Sequence, residues 1–90
     1  MPSYLVETFL ARGQPGELAA CERRARSAAD ELTRERKPVR FECSIHVPED
    51  EICFFVFGAA SGLEAALAAQ RAGLDALRVV EAVSSGQEER

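Results

Sequence analysis

Polar and apolar residues alternate most regularly over residues 39–47, where Val39, Phe41, Cys43, Ile45 and Val47 interleave with Arg40, Glu42, Ser44 and His46. A period of two is the mark of a strand with two unlike faces. Residues 52–57 (ICFFVF) are more uniformly apolar, as in a strand covered on both sides. Between them Pro48-Glu49-Asp50-Glu51 reads as a tight acidic turn with Glu49 and Asp50 at its tip. Two further segments are rich in β-formers: residues 3–9 (SYLVETF) and 77–83 (LRVVEAV).

Two stretches change period. Over residues 17–35, Leu18, Cys21, Ala25, Ala28 or Ala29, and Leu32 return every three or four positions, which makes one apolar stripe on a helix. Glu22 with Arg26, and Asp30 with Arg34, are i,i+4 pairs expected on its wet side. Pro38 ends this segment. Residues 61–72 form the second helix: Ser61-Gly62-Leu63-Glu64 fits a capping box, and Gly73 suits a left-handed stop. Its many alanines permit close packing on a sheet. Residues 11–16 and 58–60 are connections.

The order is therefore βαββαβ, which matches the ferredoxin-like motif: an α+β fold with a four-stranded antiparallel sheet, strand order 4-1-3-2, and both helices on one face. One domain over residues 1–84 and a polar, frayed tail over 85–90 follow from the chain length of 90 residues.

The turn sets a register. It pairs Val47 with Ile52, His46 with Cys53, Ile45 with Phe54, Ser44 with Phe55 and Cys43 with Val56. Cys43, Ile45, Val47, Ile52, Phe54 and Val56 then share a wholly apolar face, expected beneath the helices. The opposite face would carry Arg40, Glu42, Ser44, His46, Cys53, Phe55 and Phe57. A one-residue slip would mix the two sets. Leu5, Glu7 and Phe9 from the first strand, and Val79, Glu81 and Val83 from the last, are expected to join this open face. Phe55 and Phe57 are costly to leave bare. A second copy would cover them, giving a dimeric α/β barrel with an apolar wall and a few polar groups.

Composition narrows the function classes. Nearly half the residues are apolar, and the net charge is −4, which argues against nucleic acid as the main partner. No apolar run reaches the roughly 18 residues that span a bilayer, and Met1-Pro2-Ser3-Tyr4 lacks the pattern of a secretory signal, so the cytoplasm is the expected compartment. Ten of the eleven basic residues are Arg and there is no Asn, which suggests a GC-rich bacterial genome. Cys21, Cys43 and Cys53 are odd in number and show no CxxC, so they read as free thiols rather than as a disulfide framework.

His46 and Cys53, opposed across the hairpin, would have Cβ atoms about 5 Å apart. Imidazole and thiolate at that spacing suit Ni²⁺, Zn²⁺ or Cu. They are only two ligands; Glu7, Glu42 or Glu81, water or a symmetry mate would supply the rest. As a Cys nucleophile the pair lacks an orienting third group and an oxyanion loop.

Three blocks carry a family resemblance: Tyr4-Leu5-Val6-Glu7; the hairpin from Ser44 to Phe54; and Ala59-Ala60-Ser61-Gly62-Leu63-Glu64-Ala65 with Arg71-Ala72-Gly73-Leu74 and Arg78-Val79-Val80-Glu81-Ala82-Val83. They resemble a small bacterial domain family of unknown function whose described relative is a nickel-binding protein. The resemblance implies a ferredoxin-like fold, a homodimer and nickel; it supplies no ligand motif, so His46, Cys53, Glu7 and Glu81 stand as geometric candidates for the metal.

Three functions follow. The first is a homodimeric metal-binding protein, for nickel, with its site on the sheet face near the dimer interface. The second is a barrel resembling the cofactor-free monooxygenases, or a small-ligand binder, using His46, Arg40 and Glu42 toward an aromatic or polyketide-like molecule. The scarcity of polar catalytic groups favours a protein that is not an enzyme. The third is a plain self-association module.

Overall fold

The computed structural model describes residues 1–13 and 15–83. Strand β1 (Ser3–Phe9) leads through a loop to helix α1 (Pro15–Arg34). Strands β2 (Val39–Val47) and β3 (Ile52–Ala59) form the hairpin, helix α2 (Gly62–Arg71) follows, and β4 (Ala76–Ala82) completes the sheet. The strands lie in the order β2-β3-β1-β4, all neighbours antiparallel. This is the expected ferredoxin-like α+β arrangement. The two layers make a slab 35 × 34 × 20 Å. The expected tail beyond residue 84 lies outside the described residues.

Local chemistry fixes the ends. Ser61 caps α2 by accepting the Glu64 amide at 3.4 Å. Glu64 does not complete the box, since its Oε1 is buried without a hydrogen-bond partner. Gly73 takes the left-handed conformation, at φ +74°, just past α2. Thr33 ties the end of α1 to β2: its hydroxyl donates to the Val39 carbonyl at 2.9 Å and accepts the Val39 amide at 3.1 Å. Arg24 links the helices, its Nε donating to the Ala72 carbonyl at 2.8 Å.

The hairpin pairs as the sequence predicts, from Val47 with Ile52 through Cys43 with Val56. Its connection is a 3-10 turn, Pro48–Asp50, closed by Glu51 in the left-handed region at φ 53°. A β-bulge then interrupts β2 between Phe41 and Cys43, with Phe41 opposite Phe57. The bulge reverses the phase of the strand. Val39 and Phe41, before it, are buried in the core, whereas Cys43 and Ile45, after it, are exposed.

The two faces are therefore exchanged relative to the sequence expectation. Cys53, Phe55 and Phe57 are in the core beneath the helices, with exposures of 1% or less. Ser44 and His46, opposite Phe55 and Cys53, lie on that side too. The open side carries Cys43, Ile45, Val47, Ile52, Phe54 and Val56. Packing volume explains the choice. The helices offer small residues to the sheet: Ala25, Ala28, Ala29, Ala65, Ala68 and Ala69 are all buried. Small helix faces need large partners to reach native density, and Phe41, Phe55 and Phe57 supply them. Phe41 meets Phe57 edge-on at 5.5 Å between centroids and Phe55 at 6.3 Å.

The outer strands follow the same phase. Val6, fully buried, pairs with Phe55 on one side and Val79 on the other. Tyr4, Val6 and Thr8 thus face the helices, and Leu5, Glu7 and Phe9 face outward as expected. In β4 the assignment is corrected for Val79, which packs on the core, while Arg78 and Val80 face outward; Glu81, opposite Tyr4, and Val83 border the open side at the end of the strand. The Glu22–Arg26 pair is also replaced. Glu22 accepts the Ser44 hydroxyl, and Arg26 lies over the Phe41 ring at 5.2 Å.

Candidate functional site

Exchange of the faces separates the residues expected to act together. His46 and Cys53 are directly opposed, but beneath α1 rather than on the open face. Around them stand Thr8, whose hydroxyl donates to the Cys53 carbonyl at 2.9 Å, and the Ser44–Glu22 pair. His46 Nε2 is buried and meets no hydrogen-bond partner among the described residues. The Cys53 thiol is pushed up to about 11, first by burial and then by the nearby Cys21 and Glu22. Burial also raises Cys21, with Glu17 adding and the adjacent Arg24 opposing. Both thiols are thus held in the protonated form in the metal-free chain, and a metal would have to displace the proton to bind.

Glu7 and Glu81 do not join the pair. Glu7 is on the open side, where Arg78 Nε donates to its Oε1 at 2.9 Å. Glu81 is at the edge strand β4. Among the described residues no three of His, Cys, Asp and Glu come together as a metal-holding group. Among the described residues His46 and Cys53 are thus two donors without a third beside them. A second copy covering the open face would not reach His46 or Cys53 under α1.

The open face is the second candidate. Its centre is apolar: Leu5 and Phe9 on β1, Ile52, Phe54 and Val56 on β3, with Ile45 on β2 and Val80 on β4 beside them. Phe9 is 61% exposed and Ile45 49%. Its charged residues stand mainly on the edge strands, Arg40 and Glu42 on β2 and Arg78 on β4, the last paired with Glu7. A concavity of about 710 Å³ opens on this face, walled by Leu5, Ile45, Val56 and Ala82, with Ser3, Glu42, Cys43 and Glu81 as polar neighbours. Of the residues expected to line a ligand pocket or dimer face, Arg40 and Glu42 are here, whereas Ser44, Phe55 and Phe57 are on the other side of the sheet.

Sequence reasoning missed the apolar set as the exposed one. The signal that finds it is the alanine content of both helices, which calls for the bulky strand residues.

No protein-family model, curated protein or solved structure matches the chain. No helix among the described residues is long and apolar enough to cross a membrane.

Proposed function

We propose that this protein is a homodimer that closes its open sheet face against a second copy, making a two-sheet barrel whose interior binds a small, largely apolar molecule. The observation that carries this reading is the apolar open face on which Ile45 and Phe9 are exposed and Leu5 and Phe54 half-buried, around an already buried Val56. Its layout, an apolar centre with charged groups on the edge strands, is that of a protein interface. Both signs of charge are present at that rim, so a two-fold copy can meet opposite charges. Four strands of seven to nine residues present a planar footprint on the order of 400 Å². Side-chain relief raises the accessible area toward the roughly 800 Å² per partner of a stable interface.

Binding is preferred to catalysis. A monooxygenase-like reading needs His46 in the cavity, and His46 is on the helix side. Sedimentation equilibrium tests the proposal: a dimer at micromolar concentration is expected, and Ile45→Lys should convert it to a folded monomer. A wild-type monomer at that concentration removes the reading.

Metal capture by His46 and Cys53 is a second reading, favoured by the unpartnered His46 Nε2. The two-ligand count weighs against it. Native mass spectrometry with added Ni²⁺ decides: whole-number uptake lost in His46→Ala supports a site, and uptake unchanged in that variant removes it.

A further inference from the structure

The bulge in β2 does more than reverse the strand. It lets Glu42 and Cys43 both stand toward the open side, and bulges commonly re-aim a side chain in this way. Glu42 is then held inward over the sheet. Its Oε1 accepts the Ser3 hydroxyl at 3.0 Å. Its Oε2 lies over Gly58, only 2.7 Å from where a Cβ on that residue would stand. The carboxylate can lie so close because position 58 has no side chain. Only 28% of the Glu42 side chain remains exposed.

This carboxylate sits in the 710 Å³ concavity, within the roughly 300–1,000 Å³ usual for small-molecule sites. The walls beside it are aliphatic: Leu5, Ile45 and Val56. The other charged side chain of the lining is Glu81, also acidic, and none is basic. Arg40 is near, at 3.6 Å from Oε2, but its own side chain is 70% exposed and the contact is long. An oriented carboxylate at the end of an apolar wall selects a ligand with an apolar body and a positively charged, hydrogen-bond-donating head. Attraction between the two charges strengthens as water is excluded.

We propose that the concavity around Glu42 binds an organic ammonium: an alkyl or aryl amine whose head meets the Glu42 carboxylate and whose body lies on Leu5, Ile45 and Val56. This rests on the reading of the open face as a ligand-binding interior. A second copy would cover the body of the ligand and leave the Glu42 contact within one chain.

The test is a methyl-resolved NMR titration with n-hexylammonium, with hexanoate and hexanol as comparators and light scattering on the same samples. Hexylammonium should move the Leu5, Ile45 and Val56 methyls saturably and bind at least tenfold more tightly than hexanoate. Glu42→Gln should weaken it about tenfold. Equal affinity for hexanoate, an unchanged affinity in Glu42→Gln, or no saturable shift overturns the ammonium site. A dimer showing any of these keeps the self-association and loses the ammonium site. A monomer that binds hexylammonium through Glu42 keeps the ammonium site and loses the dimer.

Discussion

Glu42 and Gly58 share one volume: the Glu42 carboxylate occupies the space that a side chain at position 58 would enter. The two residues lie on neighbouring strands, where Gly58 pairs with Arg40 just before the bulge. Gly58→Ala would force the carboxylate aside, and with it the Ser3 contact. The displaced atoms are the end of a flexible side chain, so the stability change should stay within about 1 kcal/mol, with reduced freedom of the unfolded chain offsetting part of the cost. Ligand binding should fall as in Glu42→Gln. Urea melts and the hexylammonium titration together check this. A large loss of stability would mean that backbone, not the carboxylate, fills the space.

The exchange of faces makes a direct mutational prediction. Phe55→Ala removes a ring that is 1% exposed and belongs to the same buried core as the alanines of both helices. It should cost about 3–5 kcal/mol. Ile45→Lys, on the open side, should change the stability of the isolated chain by no more than about 0.5 kcal/mol. Were the sequence expectation right, the two costs would be reversed. Chemical denaturation at low protein concentration, where self-association does not contribute, separates the cases.

Pairing was legible in the sequence, and sidedness was not. The Pro48-to-Glu51 turn fixes which residues of β2 and β3 meet, and that information is local. Which face goes inward depends on what the helices bring to it, which is not local. Both faces of the hairpin are rich in hydrophobic residues, so hydrophobicity alone prefers the face without polar groups. Complementarity of size chooses the other: Ala25, Ala29, Ala65 and Ala68 leave room that Phe55 and Phe57 fill. Ser44 and His46 are then drawn inward, and Glu22 turns from solvent to meet Ser44. The bulge at Glu42 hid the change, because it places Val39 and Phe41 under the helices while Cys43 and Ile45 face out. No periodicity rule signals a bulge that carries no glycine in its own strand.

Cys53 gives stability a dependence on pH in the alkaline range. Its folded-state pKa lies at about 11, above the ordinary thiol value of 9.0, because burial and the neighbouring Cys21 and Glu22 disfavour the thiolate. Between these values the folded chain retains a proton that the unfolded chain has lost. The slope of unfolding free energy with pH is therefore negative. The contribution is fully present below about pH 9 and is lost as pH rises through 11. Cys21 is shifted the same way and adds to the slope. Urea midpoints measured at pH 8, 9.5 and 10.5 should fall steadily in the wild type and less steeply in Cys53→Ala. Parallel profiles for the two proteins would show that Cys53 does not feel its burial.

Cys43 reports directly on the covered face. Of the three thiols it alone is exposed; Cys21 and Cys53 are buried. In dilute native protein, iodoacetamide should modify one thiol quickly, at Cys43, and reach the other two only after unfolding. Cys43 stands on the open side beside Ile45 and Val56, so a second copy seated there would shield it. Its alkylation rate should fall at least tenfold as concentration rises from nanomolar to the range in which the dimer forms. Ile45→Lys should keep the fast rate at every concentration, which separates shielding by a partner from any intrinsic slowness of the thiol. Peptide mass spectrometry assigns the modified residue. A wild-type rate that does not vary with concentration, in samples shown to be dimeric, would place the dimer contact away from this face and on an edge strand.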